Sequence, residues 1–362
     1  MKGKQLKNKN LKLTLSLLVF SLITASCTPP IPPDVLASYA EAEVTCANGP
    51  VNVLATDVTN APIQAAIDLY IASCPESNVT VTNEIENPNI VITDFTDKEP
   101  TKCVDASVQV PIMHKTSSLA YFVSGFDGLY FNADVASEIL SGKITNLNDP
   151  KIAETNPNFE LIDQPLTVLG VKSLAASDEA YLTWLTRVTG NKIETLKASN
   201  LFESYAELVQ AFIQTEGAIA LLPSNIIFEN TLTFSNLFIE DKEYLFDSSS
   251  FASAASQFIS NTDTDLMEIS LDPSITPAQD AGLETTSNPW QGISTVYAEL
   301  CGSDDSEQSA RIFLRFMLRL DAQGQLEIYG YFPIAESLRL KAAGIVGKTL
   351  PTPSIDPALL QN

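Results

Sequence analysis

The order of segments after residue 130 constrains the fold of this chain more than any other feature of its sequence. Residues 131–157 read FNADVASEILSGKITNLNDPKIAETNP. The strand-like segment LTVLGV follows at residues 166–171, and then SLAASDEAYLTWLTRV, which has the pattern of a helix that begins near Ser177. A strand that leads through a short loop into a helix exposes backbone N–H groups at the helix start, where anions bind readily. The residues beside that helix start therefore decide what the protein binds.

Short motifs within and beyond this run resemble those of one known family. Residues 141–150 read SGKITNLNDP and are followed by the pair Asn156-Pro157. Residues 216–220, EGAIA, and residues 330–334, GYFPI, resemble two further motifs of the same family. In motif order and spacing, the chain is similar to the phosphate-binding (PstS-like) substrate-binding lipoproteins of bacterial ABC importers, over about residues 51–337.

The resemblance implies an α/β protein with the two-domain periplasmic-binding-protein type II fold, two hinge crossovers and a central ligand cleft. It assigns residues 45–118 and 288–350 to a first α/β domain and residues 119–287 to a second. Residues 351–362 are then a C-terminal tail. Independently of the resemblance, a strand-like run at residues 51–55 is followed by apolar residues at helical spacing, and this alternation predicts an α/β sheet.

The N-terminus predicts export and a lipid anchor. Five lysines precede an apolar stretch of eleven residues, 13–23, which is too short to span a bilayer that needs about twenty residues. This pattern is typical of a secretory signal peptide, here residues 1–26. It ends on the small residues TAS before Cys27, as in bacterial lipoproteins, where such a cysteine receives the lipid. Ordinary signal cleavage nearby is the alternative.

The segment after Cys27 predicts a tether. Residues 28–33 read TPPIPP, and prolines hold the backbone extended without internal hydrogen bonds. We therefore expect residues 27–44 to form the lipid anchor and a Pro-rich tether. The protein is then lipid-anchored to the outer face of the bacterial cell membrane, or lies in the periplasm.

The charge balance excludes one class of partner. The whole chain has 21 basic and 44 acidic residues, and the predicted signal peptide removes five lysines and no acid, which leaves a net charge of −28. Because Lys and Arg contacts to phosphates supply most of the affinity for nucleic acid, nucleic acid is not expected as a partner. The mature length exceeds what one core usually supports, so two domains are expected.

The cysteines fit an oxidising compartment. Besides Cys27, the chain has Cys46, Cys74, Cys103 and Cys301, and four cysteines allow three pairings into two disulfides. Two of them flank the first strand and its helix, and the other two end strands that the resemblance assigns to the first domain. This placement favours Cys46–Cys74 and Cys103–Cys301. No CxxC motif or Cys/His set predicts a metal site.

The resemblance also places three loops around the ligand cleft. The first follows the strand at residues 51–55. The second ends the next apolar strand, and its carboxylate, in the family, accepts the proton of a protonated phosphate. The third follows residues 166–171 and leads into the helix. The predicted ligand-binding residues are Thr56, Asp57, Thr59, Thr93, Asp94, Lys172, Ser177 and Asp178.

The third loop departs from the family motif Arg-Ser-Asp-Gly-Ser-Gly-Thr-Thr. Val171 stands at the arginine, and Ala175 and Ala176 replace the Ser-Gly pair. A bidentate arginine is the strongest single contact that a protein offers an anion. Asp57 and Asp178 add negative charge, and one like-charge pair in a partly desolvated cleft costs on the order of several kcal/mol. The sequence therefore disfavours phosphate as the ligand.

Some of these residues have a second interpretation. Ser177 followed by two acids is also the N-cap and first turn of an ordinary helix, and a helix start satisfied by its own carboxylate has nothing left for an external anion. Lys172 could replace the lost arginine, although adjacent residues of a strand face opposite sides. Asp57 and Asp94 are alternatively solvated loop residues.

Three functions remain open on this basis. The first is a solute receptor for an ABC permease, with phosphate or a neutral or cationic solute as ligand. The second is a binding-dead family member that acts as a surface interaction or sensory protein. The third is a calcium-like site formed by Asp57, Asp94 and Asp178. We expect neither enzyme activity nor a cofactor, because the single histidine, His114, lies in an apolar run and no nucleophile or phosphate-loop motif is present.

Overall fold

The computed structural model describes residues 32–84, 86–94, 103, 106–193, 196–239, 242–261, 263–280, 289–290, 292–301 and 305–351. The predicted signal peptide, the predicted anchor residue Cys27 and residues 352–362 of the predicted tail lie outside this part of the chain. The side chain of Asp57 also lies outside it, although its backbone is described.

Strands and helices alternate along the chain, as the sequence predicts. The strands are β1 Val51–Leu54, β2 Val79–Thr82, β3 Ile90–Asp94, β4 Ala106–Phe122, β5 Tyr130–Phe131, β6 Thr167–Val171, β7 Asn200–Phe202, β8 Ala218–Pro223, β9 Asn236–Ile239, β10 Lys242–Tyr244, β11 Phe258–Ser260, β12 Ile269–Leu271 and β13 Ile293–Cys301. The helices are α1 Pro33–Ala40, α2 Asp57–Ser73, α3 Ala133–Leu140, α4 Pro150–Thr155, α5 Ala176–Thr189, α6 Tyr205–Phe212, α7 Ser224–Glu229, α8 Ser248–Ala255, α9 Pro277–Asp280, α10 Asp305–Met317, α11 Leu320–Gln323 and α12 Glu336–Gly347, with a 3-10 turn at Glu327–Tyr329.

One eight-stranded sheet runs through the protein in the order β2-β1-β3-β13-β4-β8-β6-β7. Strand β1 pairs in parallel with β2 and β3, whereas β13 runs antiparallel to β3 and β4. On the other side of β4, β8 is antiparallel to β4 and parallel to β6. The strands on the two sides of β4 come from the two groups of residues that the sequence assigns to different domains.

Strand β4 is continuous across the sheet, whereas the sequence predicts separate strands at residues 108–113 and 120–123. Its first part pairs with β13 and its last part, residues 117–122, pairs with β8. Between the two apolar segments lie residues 114–118, HKTSS, all of them buried. Backbone hydrogen bonds to β13 and to β8 keep this polar stretch extended. It therefore places buried polar side chains where β4 passes from one partner strand to the other.

The helices on the first side cover the sheet with apolar faces. Tyr70 of α2 packs its ring against Phe313 and Phe316 of α10, with ring centroids 5.3 and 5.0 Å apart. The sequence predicts an amphipathic helix at residues 306–320, and α10 occupies most of that range. This packing joins α2 and α10 on the first side of the sheet.

The described part of the predicted tether is not extended. Residues 33–40 form α1, with Pro33 at the first helical position, which suits proline. Helix α1 lies against α12, where a Cβ added at Gly344 would stand 2.5 Å from Leu36 Cδ2. Next to α1, Glu41 pairs with the buried Arg339. Because Gly344 has no side chain, α1 can pack closely against α12. The residues of α1, which were expected in the tether, therefore belong to the folded body.

The predicted disulfide pairing is confirmed. Cys46 is bonded to Cys74, and Cys103 to Cys301, with Cα–Cα distances of 5.3 and 5.1 Å. The second bridge joins residues 198 positions apart in sequence and fixes the end of β13 to the segment that precedes β4. Within the described residues, the helices are all too short or too polar to cross a bilayer.

Candidate functional site

Polar side chains converge where β4 passes from its pairing with β13 to its pairing with β8. They come from the end of β3, from β4 and from the first turns of α5 and α6, and hydrogen bonds, an ion pair and electrostatic attraction connect them. We call this group the acid–lysine cluster: Asp94, Lys115, Ser117, Ser177, Asp178 and Tyr205.

Asp94 and Lys115 form a buried ion pair at the first side of the cluster. In the sheet register, Asp94 lies opposite Val296 and Lys115 lies opposite Ser294, so the lysine reaches across β13 to the carboxylate. Their side chains are 11% and 3% exposed. Lys115 Nζ donates to Asp94 Oδ2, whereas Asp94 Oδ1 is buried without a hydrogen-bond partner among the described residues.

Asp178 occupies the second side of the cluster and is fully buried. Ser117 Oγ donates to its Oδ1 at 2.6 Å, and the hydroxyl of Tyr205 donates to its Oδ2. Ser177 Oγ lies 2.9 Å from Ser117 Oγ. Both carboxylate oxygens of Asp178 are therefore satisfied by hydroxyl groups of the protein itself.

Burial controls the protonation of Asp178 and Tyr205. Loss of water around Asp178 raises its pKa from 3.8 to about 6. The hydrogen bonds from Ser117 and Tyr205 and the positive charge of Lys115 act in the opposite direction and limit the rise. Burial and the negative charge of Asp178 also raise the pKa of Tyr205, which keeps its hydroxyl protonated as a donor.

The start of α5 differs from the ordinary helix start that Ser177 suggests in the sequence. Ala175 is the N-cap and offers no side-chain acceptor, so Ser177 and Asp178 lie in the first turn. The backbone N–H of Ala175 donates to the Tyr205 hydroxyl at 2.8 Å. The carboxylate of Asp178 lies in this positive first turn, where an external anion is expected from the family resemblance.

The first and second predicted loops contribute unequally. Thr56 caps α2 and bonds reciprocally with Thr59, with 2.9 Å between the two Oγ1 atoms. Their hydroxyls thus stabilise the helix start. Thr93 neighbours Asp94 on β3 and, as adjacent strand residues do, faces the other side of the sheet; its Oγ1 is buried without a partner among the described residues.

Lys172 lies away from the cluster. Its side chain is 54% exposed and pairs with Glu203, which is 70% exposed. Val171, which stands at the family's arginine position, is buried in an apolar core with Leu169 and Phe212. The structure thus brings together Asp94, Ser177 and Asp178 of the predicted residues. It places Thr56, Thr59 and Lys172 in other contacts, and Thr93 lies outside the cluster.

Sequence reasoning misses three members of the cluster, Lys115, Ser117 and Tyr205. A signal for the first two exists in HKTSS at residues 114–118, because five consecutive polar residues between two apolar strand segments are unusual in a central strand. Tyr205 has no comparable signal, since its role depends on the distance from α6 to α5 in the folded protein.

The single histidine, His114, lies in packing and hydrogen-bond contacts of its own. His114 is buried, its Nδ1 lies 3.2 Å from Thr295 Oγ1, and burial lowers its pKa to about 4. Its ring packs 6.0 Å from that of Phe258. Across the described ranges, no group of three or more His, Cys, Asp and Glu side chains is placed to hold a metal ion.

Comparison with known proteins identifies the fold. No family model matches the sequence, and no curated protein matches it. Among solved structures, the ancestral soluble variant of the human phosphate-binding protein has a TM-score of 0.56 at 9% identity, over 84% of this chain and 94% of that one. A high-affinity periplasmic phosphate-binding protein, PfluDING, bound with phosphate, has a TM-score of 0.55 at 11% identity, over 80% of this chain and 92% of that one.

The protein therefore has the type II periplasmic-binding-protein fold, and both of these structural neighbours are described as phosphate-binding proteins. At these identities the likeness establishes the fold alone. The predicted fold class is confirmed, and the fold is that of a class of binding proteins for small solutes.

Proposed function

We propose that this protein is an exported, lipid-anchored solute-binding component of an ABC importer, with a ligand other than phosphate. The observation that carries the proposal is the acid–lysine cluster at the crossing of the two sides of the sheet. In a solute-binding fold, buried polar groups at such a crossing are positioned to recognise a ligand between two domains.

The domain division is part of this proposal. Residues 45–118 with 288–350, and residues 119–287, form the two domains, and β4 is one of the two crossovers between them. Lys115 and Ser117 lie on this crossover, two residues apart, and therefore face the same side of the strand. One contacts Asp94 and the other Asp178, so the crossover connects the acids of both domains.

Phosphate is disfavoured because the protein's own groups occupy its place. Asp178 lies in the first turn of α5, and Ser117 and Tyr205 donate to it. The one lysine of the cluster is already paired with Asp94. A phosphate dianion would face two carboxyl groups in a desolvated site without a free cation to offset their repulsion.

Ligand titrations test this proposal. Calorimetry and thermal shift of the mature chain with phosphate, sulfate, calcium and amino acids separate the functional classes. We expect no phosphate or sulfate binding at micromolar concentration. Micromolar phosphate binding would contradict the exclusion of phosphate, and stabilisation by calcium alone would favour a cation site instead.

Lipid anchoring has its own test. We propose that Cys27 carries the lipid and that an ABC permease is the partner in the membrane. Metabolic labelling with palmitate should mark the wild-type protein, and Cys27→Ser should abolish the label and release the protein from the membrane fraction. Equal labelling of both proteins would contradict Cys27 as the anchor.

The hydrogen bonds that Asp178 forms within the protein favour a second function. If the cluster serves only to hold the two sides together, the protein is a binding-dead relative that acts as a surface interaction or sensory protein. Both oxygens of Asp178 bonded within the protein support this candidate. This second candidate predicts that none of the solutes binds in the titrations. Neither candidate requires catalysis or a cofactor.

A further inference from the structure

The acid–lysine cluster retains hydrogen-bonding capacity that points to one class of solute. This inference rests on the proposed solute-binding function and concerns the same site. We infer that the ligand is an uncharged, hydroxyl-rich solute, and that one of its hydroxyl groups bridges Asp94 and Lys115.

The charges of the cluster disfavour an anionic ligand. The Lys115 ammonium and the Asp94 carboxylate offset each other as an ion pair. A further negative group would meet Asp94 and Asp178, whose side chains are at least 89% buried. Because such burial strengthens repulsion, an anion is disfavoured, and a cation would compete with Lys115 for Asp94, whereas an uncharged solute leaves the ion pair undisturbed.

The unsatisfied atoms specify the polar group. Asp94 Oδ1 is buried and accepts no hydrogen bond within the described part of the chain. The Lys115 ammonium has three N–H donors, and Asp94 Oδ2 is the acceptor that the described residues offer it within hydrogen-bond distance. One unused acceptor thus lies beside unused donors on the same ion pair.

A hydroxyl group matches both atoms at once. It can donate its proton to Asp94 Oδ1 and accept a hydrogen bond from Lys115 Nζ. An ammonium group cannot accept, and sulfate, which is fully ionised, cannot donate. Phosphate at pH 7 keeps a proton that it can donate, and it is disfavoured instead by the repulsion of its negative charge from Asp94 and Asp178. Asp178 takes no direct part, because Ser117 and Tyr205 already satisfy its two oxygens.

Access requires the two sides of the cluster to separate. Asp94 lies at the end of β3 on the first side of β4, and Asp178 lies in α5 on the second. The electrostatic attraction between Lys115 and Asp178 connects the two. A hydroxyl-rich solute that enters between them gains hydrogen bonds to charged groups, which are stronger than those between neutral groups.

The inference is tested with named probes. Glycerol, glucose and myo-inositol are titrated into the mature chain carrying Cys27→Ser, by calorimetry and thermal shift, with phosphate and glycine as charged comparators. We expect at least one neutral probe to bind more tightly than either charged one. Asp94→Asn and Lys115→Met should each weaken that binding by about tenfold or more, since each removes a hydrogen bond to a charged group.

Two further variants separate ligand contact from folding. Lys172→Met removes an exposed lysine outside the cluster and should leave the affinity unchanged. The double variant Asp94→Asn with Lys115→Met removes both charges of the ion pair, so it should fold even if a single variant does not, and it should still bind the neutral probe about tenfold or more weakly.

Each other outcome has a defined meaning. Tighter binding of phosphate or glycine overturns the inferred ligand class but retains a solute-binding function. Binding of a neutral probe with unchanged affinity in the Asp94 and Lys115 variants overturns the assigned contact. Silence towards all five probes overturns the inference and favours the surface interaction protein.

Discussion

The two acids of the cluster are buried in the same region but are stabilised in different ways. Asp94 is held by a cation, Lys115, and keeps one oxygen without a hydrogen-bond partner among the described residues. Asp178 is held by the neutral hydroxyls of Ser117 and Tyr205, and burial raises its pKa to about 6. Both oxygens of Asp178 are thus bonded within the protein, whereas Asp94 retains hydrogen-bonding capacity at the end of β3. The two acids should therefore respond differently to mutation and to pH.

The largest loss of stability is expected when Lys115, the cation paired with Asp94, is removed. Lys115→Met leaves the Asp94 carboxylate buried without its partner. Breaking a buried ion pair from one end costs about 3–5 kcal/mol. We expect a loss of this size in the free energy of unfolding, measured by urea denaturation at pH 7.

The double variant Asp94→Asn with Lys115→Met sharpens this result. With both charges gone, most of the lost stability should return, because the desolvation cost of an unpaired charge disappears. If the double variant is as unstable as Lys115→Met, the ion pair is not the reason for the loss.

The next effect concerns the pH response of the second acid. A pKa raised from 3.8 to about 6 means that Asp178 contributes stability below about pH 4 and loses it as the pH rises through 6, because the folded state holds the proton longer than the unfolded state. Asn does not titrate. Asp178→Asn should match the wild type near pH 4 and exceed its free energy of unfolding by about 3 kcal/mol at pH 7.

Urea denaturation of both proteins at several values between pH 4 and pH 7 measures this difference. All other groups titrate in both proteins, so their contributions cancel in the comparison. A stability difference that stays constant over this range would show that Asp178 has no raised pKa.

A smaller effect is expected from the hydroxyl donor of the second acid. Tyr205→Phe removes the hydrogen bond to Asp178 Oδ2 and the acceptor for the Ala175 N–H. Buried groups left without partners cost about 1–3 kcal/mol. The loss in thermal and urea stability should shrink at pH 4, where Asp178 is neutral. Equal losses at pH 4 and pH 7 would contradict a hydrogen bond to a titrating carboxylate.

The smallest effect is expected outside the cluster. Lys172→Met breaks the exposed pair with Glu203, and surface pairs of this kind contribute about 0–1 kcal/mol. Its unfolding free energy should stay close to that of the wild type in the same denaturation experiment. A loss comparable to that of Lys115→Met would show that exposure does not distinguish the two lysines.

The sequence predicts the framework better than the site. Strand and helix alternation, the disulfides Cys46–Cys74 and Cys103–Cys301, and the fold class agree with the structure. These features follow from apolar periodicity and from motif order along the chain. Of the predicted ligand-binding residues, Asp94, Ser177 and Asp178 lie together in one cluster, and their role in binding stays a prediction.

The parts of the site that the sequence does not predict depend on contacts between distant segments of the chain. In the sequence, Lys115 is a polar residue between two predicted strands, and nothing there indicates that it contacts Asp94. The contact depends on the position of β13 between β3 and β4 in the sheet. Lys172 is predicted to line the cleft, but it follows the end of β6 and pairs with the exposed Glu203. Tyr205 reaches Asp178 across 27 residues of sequence.

Titration calorimetry of the wild-type mature chain with phosphate at pH 7 tests most directly the proposal that Asp178, held by Ser117 and Tyr205, already occupies the anion position at α5. We expect no binding heat at micromolar to millimolar phosphate. Saturable binding at micromolar phosphate would contradict the proposal.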